Sequence, residues 1–208
     1  MKRMVGGEGK VHQYLEGTIQ AILPVYDQDG SGTIVCTRRD EFRDKRSLPW
    51  LVNRLAHYYN LDLAILRKRS GVLLKQKHHL SLPLNSDLVL LPIKIRRAAE
   101  HGETTIAYIN LHQIERLEEI GDGLPYRSMV VFQGGRILKS LYTVSTLRER
   151  VRQGELVQGD FVGRNKRMVA MAGLDSAELI SALPGCTCFL KDLFLAVVTL
   201  ADKVETID

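Results

Sequence analysis

Basic side chains are concentrated in the middle of this chain, where they could bind a polyanion. Residues 38–97 hold 14 Lys or Arg and five Asp or Glu, whereas residues 171–208 hold two and six. The electric field of such an excess of positive charge attracts polyanions but says nothing about the fold. A solvated surface explains the charge equally well. The cations that we single out as candidate contacts are Arg67, Lys68, Arg69, Lys75, Lys77, Lys94, Arg96 and Arg97.

Two segments contain residue types that bind metal ions, but neither has a complete ligand pattern. Residues 27–34 match the first eight positions of a calcium-binding EF-hand loop, but the twelfth position, which should be a bidentate Glu, is Arg38. We therefore interpret residues 27–32 as a turn between strands. Cys186 and Cys188 do not have a zinc-knuckle spacing, and we expect them and Cys36 to be small buried side chains. The sequence predicts no metal and no cofactor.

No motif in the sequence indicates an enzyme. Glycine-rich phosphate loops, nucleophile elbows and zinc-protease motifs are all missing from it. Glu115, Glu118 and Glu119 have no partner that suggests acid–base catalysis, and a solvated face explains them. His78 and His79 could bind a metal ion, but we assign them to the basic surface.

The composition is that of an ordinary globular protein. The 208 residues are 45% apolar and 25% charged, with a formal net charge of +5. No run of about 18 apolar residues could cross a bilayer, and the polar first ten residues do not resemble a secretory signal. Three cysteines do not make a disulfide framework. We expect a cytoplasmic protein with reduced thiols and no membrane association.

Helical periodicity is clearest over residues 47–59, where Ser47 is a favourable N-cap. A second short helix is predicted over residues 145–152, ended by Gly154. A third, mostly apolar helix is predicted over residues 190–204, and we expect it to be buried against its own domain or against a second copy. The side chains proposed for self-association are Phe189, Leu193, Phe194, Val197 and Val198.

Most other apolar segments have the composition of strands. Gly134 and Gly135 give the best hairpin signal because a primed turn needs positive φ angles. Pro92 indicates an edge strand or a bulge. The predicted fold is α+β and strand-rich, with mostly antiparallel sheets, a few short helices and the apolar C-terminal helix. The predicted strands are residues 11–15, 18–25, 33–37, 72–74, 80–84, 88–95, 104–111, 114–117, 129–132, 137–141, 161–162 and 168–171.

Taken in order, these segments make the chain resemble the ComK family of competence transcription factors. The similarity covers residues 14–152, about two thirds of the chain, and it lies in collinear order rather than in one specific motif. It implies a flexible tail (1–10), a ComK-like DNA-binding domain (11–154) and a C-terminal extension (155–208) that departs from the family pattern. The segments that carry it are residues 14–24, 32–34, 58–59, 67–71, 77–78, 83–86, 88–92, 109–114 and 132–145.

The resemblance implies an activator of transcription that binds A/T-rich double-stranded DNA, largely from the minor groove. It also implies a homodimer or higher oligomer, and a proteolytic adaptor as a further partner. Residues 67–69, Arg96 and Arg97 would then supply the groove contacts, while Lys75 and Lys77 would bind phosphates. A weaker resemblance to LytTR-type DNA-binding domains points to the same function.

Two other classes of function stay open at this stage. A protein-interaction or ligand-sensing module could use the basic residues only to stay in solution. An RNA-binding protein is the other alternative, although few aromatic residues interleave with the basic clusters, which disfavours base stacking on a single strand.

Overall fold

The computed structural model describes residues 7–27, 30–98, 103–121 and 125–171. The fold is α+β, as predicted, with 38% helix and 32% strand. The helices are α1 (Gly7–Glu16), α2 (Leu48–Tyr58), α3 (Leu63–Leu74) and α4 (Val144–Met171), with one 3-10 turn at Leu111–Gln113. The strands are β1 (Ile19–Asp27), β2 (Gly30–Thr37), β3 (Glu41–Asp44), β4 (Leu82–Pro83), β5 (Val89–Lys94), β6 (Ile106–Asn110), β7 (Ile114–Glu119), β8 (Ser128–Phe132) and β9 (Ile137–Ser140).

These strands form two sheets in which every described pair is antiparallel. The larger sheet has six strands in the order β3-β2-β1-β6-β5-β4, and the smaller has the order β7-β8-β9. The chain divides into two units, residues 1–158 and 159–208, and all the described strands belong to the first. No helix in the described part of the chain combines the length and apolar character that crossing a bilayer requires.

One face of the six-stranded sheet packs against the smaller sheet and the start of α4. Successive side chains of a strand point to opposite faces, so alternate residues form each surface. Ile93, Ala107 and Ile109 are fully or almost fully buried in one apolar cluster with Phe132 of β8 and Leu147 of α4. This cluster is the main core of the first unit.

Helices α1, α2 and α3 lie on the opposite face of that sheet. Three leucine and valine side chains of α2 are completely buried, and the helix packs on β1 and β2. The Tyr14 hydroxyl of α1 donates to Oδ2 of Asp44 (3.1 Å), and its ring lies 5.3 Å from that of Phe42 on β3. Arg46 completes this contact with an ion pair to Asp44 at 2.5 Å. The helical layer is thus joined to β3 by a buried polar contact as well as by apolar packing.

Several local predictions are confirmed by this architecture. The Ser47 hydroxyl accepts the Trp50 N–H at the start of α2, and Gly134 and Gly135 have φ angles of 90° and 84° in the β8–β9 turn. Strands β1 and β2 flank the predicted turn, but residues 30–32, which were predicted to belong to it, lie in β2. Strand β5 lies between β6 and β4, so Pro92 is not on an edge strand; it lies beyond the end of the two-residue β4, where no described partner needs its missing N–H.

Four segments predicted as strands are helical, and the first two of them lie in α1 and α3. Residues 11–15 lie in α1, where Val11 and Tyr14 are both buried at a spacing of three, which places them on one face of a helix but would place them on opposite faces of a strand. Helix α1 begins at Gly7, inside the segment assigned to a flexible tail. Residues 72–74 form the last turn of α3, and Val72 is 75% exposed. Their apolar character had suggested a buried strand.

The prediction that Gly154 ends the helix over residues 145–152 is wrong. Helix α4 continues through it to Met171, and also includes residues 161–162 and 168–171, which were predicted as strands. A Cβ at Gly154 would lie only 2.3 Å from Cδ2 of Leu91, so glycine here permits close packing of the helix on the sheet. The cap at the other end is Thr143, whose hydroxyl accepts the Thr146 N–H, rather than Ser145.

The predicted boundary between residues 154 and 155 therefore falls inside a helix. The predicted apolar helix over residues 190–204, with its proposed self-association residues, lies outside the described residues.

Candidate nucleic-acid interface

Helix α3 is the centre of the candidate interface, and its orientation is fixed at one end and along one side. The Asp62 carboxylate caps the helix by accepting two backbone N–H groups of the first turn, at 2.7 and 3.0 Å. Leu63, Leu66 and Ser70 are buried and lie on the side that faces the sheet. The basic residues 67–69 are all exposed around the rest of the helix.

Consecutive helical residues point in different directions, about 100° apart, and the basic triplet follows this rule. Lys68 and Arg69 form no ion pair with any residue in the described ranges. Arg67 differs, because its positive charge acts on the hydroxyl of Tyr108 on β6. Burial raises the pKa of Tyr108, and the positive charge of Arg67 opposes that rise. Lys68 and Arg69 are consequently the two members of the triplet best placed to contact an external anion.

The outer face of α3 also carries exposed aliphatic side chains. Ile65 is 52% exposed and Val72 is 75% exposed, and Lys68 lies between them at helical spacings of three and four. Cationic and apolar groups therefore alternate on one surface.

The chain turns back sharply at the end of α3, which places two further lysines beside the helix. Lys75 ends the helix in the left-handed conformation, with a φ of 52°. A side chain at Gly71 would bring its Cβ to 2.9 Å from the carbonyl oxygen of Gln76, so glycine permits the return of the chain. Lys75 and Lys77 are exposed, and neither has an ion pair within the described part of the chain.

The three predicted cations near the end of β5 have different environments. Ile93 and Ile95 point into the core between the sheets, so Lys94 and Arg96 point to the opposite face. Arg96 donates to Oε2 of Glu103 at 2.6 Å, and its guanidinium lies 4.1 Å from the centre of the Tyr26 ring. Much of the charge of Arg96 is therefore balanced inside the protein. Arg97 is exposed.

The structure thus brings five of the eight predicted residues together on α3 and the loop that follows it. That set is Arg67, Lys68, Arg69, Lys75 and Lys77. Lys94 is half-buried at the end of β5. Arg96 follows Lys94 by two residues, but its guanidinium stacks on the Tyr26 ring and does not join the helix–loop surface.

Arg150 of α4 is a basic neighbour that the sequence did not suggest. Its Nη1 donates to Oε1 of Gln76, to the carbonyl oxygen of His79 and to Oε1 of Gln153, at 3.3, 3.0 and 3.0 Å. More than 70 residues separate Arg150 from the loop it contacts, so no local pattern could have revealed this neighbour.

The outer face of α2 carries a second basic feature missed by the sequence interpretation. The guanidinium of Arg46 lies 3.9 Å from the centre of the Trp50 ring, and the Trp50 side chain is 39% exposed. Tyr58 is exposed two turns further along the same helix. Basic and aromatic groups are therefore adjacent in space here, although the densest basic clusters of the sequence contain no aromatic residue.

The described part of the chain contains no group of three or more His, Cys, Asp or Glu arranged to hold a metal ion. The EF-hand-like segment is flanked by the strands β1 and β2 rather than by helices. Cys36 is buried, as predicted, and burial together with the nearby Glu41 raises the pKa of its thiol to about 11. Such a thiol is a poor nucleophile at neutral pH.

Comparison of the chain with protein-family models, with curated proteins and with solved structures gives no match in any of the three. The resemblance to ComK and to LytTR-type domains is therefore supported by the residues of this chain alone.

Proposed function

We propose that this chain binds double-stranded DNA through the outer surface of α3 and the loop that follows it, and that it regulates transcription from A/T-rich sites. The observation that carries the proposal is a set of exposed cations with no ion pair to another described residue. Lys68, Arg69, Lys75 and Lys77 supply this set from one continuous helix–loop segment. Cations without internal partners can neutralise phosphates and release counterions, which is the main source of affinity for duplex DNA.

Sequence preference requires at least one side chain in a groove, and Arg69 is the best candidate. The charge of Arg67 acts on the Tyr108 hydroxyl, and Arg96 pairs with Glu103. Arg69 is exposed and has no such partner among the described residues. An arginine in the narrow minor groove of an A/T tract would add shape recognition to the phosphate contacts.

The decisive experiment is fluorescence anisotropy of the full chain on duplexes across a salt series. The double variant Lys68→Glu and Arg69→Glu should lose roughly 30–100-fold in affinity at about 0.1 M salt, and the log–log salt slope should flatten by about 2, because two phosphate contacts are lost. The matched control is Arg127→Glu with Lys139→Glu, which makes the same charge change at exposed positions beside the smaller sheet.

Binding to an A/T-rich and a G/C-rich duplex separates groove contacts from phosphate contacts. Arg69→Ala should reduce binding to the A/T-rich duplex by about 1–3 kcal/mol, and should reduce binding to the G/C-rich duplex less. Equal losses for the double variant and for its control, or no duplex binding at low salt, would contradict the proposal. Single-stranded DNA and RNA tested in parallel cover the RNA-binding alternative.

A protein-interaction module is the second candidate function, and the exposed aliphatic side chains of α3 favour it. Ile65 and Val72 would be desolvated by a protein partner, whereas a phosphate backbone would gain little from them. Substitution of both by Ser should leave duplex binding within about twofold if DNA is the ligand. A protein-binding role would instead make these two residues necessary and Lys68 dispensable.

The resemblance further suggests a cytoplasmic protein that acts as a homodimer or higher oligomer, with a proteolytic adaptor as an additional partner. The proposed self-association residues, Phe194 and Val197 among them, lie outside the described residues. Sedimentation of the wild-type chain and of the Phe194→Glu, Val197→Glu variant tests self-association. The charged side chains would disrupt an apolar contact between two copies.

A further inference from the structure

The outer face of α2 carries a large aromatic side chain that the packing of the helix does not use. Trp50 is the single tryptophan of the chain and is 39% exposed, whereas Leu51, Val52 and Leu55 of the same helix are completely buried. Tryptophan is highly buried on average, so an exposed indole calls for an explanation. The duplex contact proposed for α3 does not include this ring.

The Trp50 ring is held in place by polar contacts that start in the protein interior. The buried Asp44 carboxylate accepts Nε and Nη2 of Arg46 at 2.7 and 2.5 Å, which fixes the guanidinium 3.9 Å from the centre of the ring. The backbone N–H of Trp50 is bound by the Ser47 cap. The guanidinium covers one face of the indole, so the exposed surface belongs largely to the other face and the ring edge. The stacking surface is therefore positioned before any ligand arrives, which lowers the entropic cost of binding.

Positive charge surrounds this ring in the sequence. Residues 45–61 contain three Lys or Arg and no Asp or Glu. Lys45 is exposed and forms no ion pair with a described residue, and Arg54 follows Trp50 by one helical turn. An aromatic face beside cations suits a nucleic-acid strand, whose bases stack on the ring while its phosphates meet the positive charge. An apolar segment of a protein would gain from the ring but not from the cations.

A second exposed aromatic ring lies further along α2. Tyr58 is 37% exposed, and its ring makes T-shaped contacts with His12 at 6.4 Å and with Tyr59 at 5.2 Å, measured between ring centres. It follows Trp50 by eight residues, which is about 12 Å along the helix axis and about 80° around it. The two rings thus offer stacking surfaces to two bases of one strand.

We propose that Trp50 stacks on an unpaired base of single-stranded DNA, with Tyr58 as a second stacking ring and Lys45 as a phosphate contact. The faces of a base in an intact duplex are covered by its neighbours, so only an unpaired base can lie flat on the indole. We assign the strand to DNA because residues 59–62 join α2 directly to α3, and in this respect the inference rests on the proposed function.

Trp50 itself reports the contact, because the chain contains no other tryptophan. The experiment titrates the full chain with an oligothymidylate of about 15 nucleotides and records the tryptophan emission. Stacking should quench this emission saturably. A strand of the same length made of abasic units, which keeps the phosphates but has no bases, should bind about tenfold more weakly and should not quench. Equal affinity for the two strands, or oligothymidylate binding without quenching, would overturn the proposal.

Variants separate stacking from general charge. Trp50→Ala should weaken binding of labelled oligothymidylate about tenfold, Trp50→Phe should retain most of the affinity, and Tyr58→Ala should cost less than Trp50→Ala. Lys45→Gln should flatten the log–log salt slope by about 0.7, the value for one phosphate of a single strand. The matched controls are Ile137→Ala and Lys139→Gln, at exposed positions on β9, which should have no effect. Equal losses for Trp50→Ala and Ile137→Ala would contradict the proposal.

Duplex binding by the same variants distinguishes this site from the surface of α3. Trp50→Ala should leave duplex affinity within about twofold, and Lys68→Glu with Arg69→Glu should retain the quenching of Trp50 by oligothymidylate. Quenching by the single strand without any duplex binding would refute the proposed function but keep the stacking site. Duplex binding without quenching by the single strand would keep the function and refute the site. An oligouridylate bound about tenfold more tightly than its deoxy counterpart would refute the assignment to DNA.

Discussion

The two faces of the six-stranded sheet are covered in different ways. The face toward the smaller sheet is closed by an apolar cluster and by the close approach of α4 at Gly154. The face toward the helices is joined to them partly by polar contacts, in which Asp44 binds both Tyr14 and Arg46. The outer surface of that helical layer carries Lys68 and Arg69, which form no ion pair with any described residue.

This difference separates residues that stabilise the fold from residues that are free to bind. Substitution of a side chain that is closely packed or makes a buried hydrogen bond destabilises the protein, because the surrounding structure cannot rearrange to compensate. Exposed charges without an internal partner contribute little to folding. The helical face therefore combines a structural inner side with an outer side that is available for a ligand.

The largest expected effect is on the polar contact of the helical face. Arg46→Ala leaves the Asp44 carboxylate, whose side chain is only 2% exposed, without its ion-pair partner, and should cost about 3 kcal/mol in the free energy of unfolding. Urea denaturation measures this loss. A cost below about 0.5 kcal/mol, the size of an ordinary surface substitution, would show that the ion pair is not structural.

The pH dependence of the same variant sharpens the test. Burial acts to raise the pKa of Asp44, but hydrogen bonds from Arg46 and Tyr14 outweigh it and hold the pKa below its usual value. The stabilisation is therefore present above about pH 4 and is lost as the pH falls through the folded-state pKa. The deficit of Arg46→Ala should shrink in acid, where wild-type Asp44 is protonated too.

The next largest effect is expected on the opposite face of the sheet. Gly154→Ala puts a Cβ 2.3 Å from the fully buried Leu91 and should cost about 2 kcal/mol, despite the better helix propensity of alanine. Gly159→Ala in the same helix is the matched control, because no atom lies within 4 Å of its Cβ position. The control should be neutral or up to about 1 kcal/mol more stable. Similar effects at both positions would contradict the packing described for Gly154.

Removal of one hydrogen bond from the helical face should have a smaller effect. Tyr14→Phe loses the bond to Asp44 and should cost about 1.5 kcal/mol at neutral pH. Burial and the neighbouring carboxylate raise the pKa of Tyr14 to about 12. Wild-type stability should consequently fall as the pH rises from about 10 through 12, and the variant should fall less, because it lacks the contribution of Tyr14 while Tyr108, whose pKa is also raised, keeps its own. Parallel pH profiles of the two proteins would show that Tyr14 ionises freely.

The smallest effect on stability is expected where the effect on binding is greatest. Lys68→Glu with Arg69→Glu should change the free energy of unfolding by less than about 0.5 kcal/mol, since both side chains are exposed and lack described ion pairs. Urea denaturation beside the anisotropy measurement gives both quantities on one sample. A stability loss comparable to that of Arg46→Ala would place these cations in the structure rather than in an interface.

The sequence by itself determined the features that depend on neighbouring residues. Ser47 and the apolar spacing behind it specify α2, and Gly134 with Gly135 specify the β8–β9 turn, because caps and positive φ angles are local requirements. The α+β class and the basic middle of the chain were likewise visible in composition and periodicity. Periodicity failed at residues 11–15, where five residues are too few to separate a helix from a strand.

Only the tertiary structure decided which cations are free and which are held. Arg96 and Lys68 are equivalent in the sequence, but one pairs with Glu103 and the other pairs with no described residue. Arg150 reaches the His79 loop across 71 positions, and Gly154 packs on Leu91 instead of ending a helix. Such contacts join residues distant in the chain, and their energies depend on the packed arrangement of sheets and helices, which local sequence patterns do not encode.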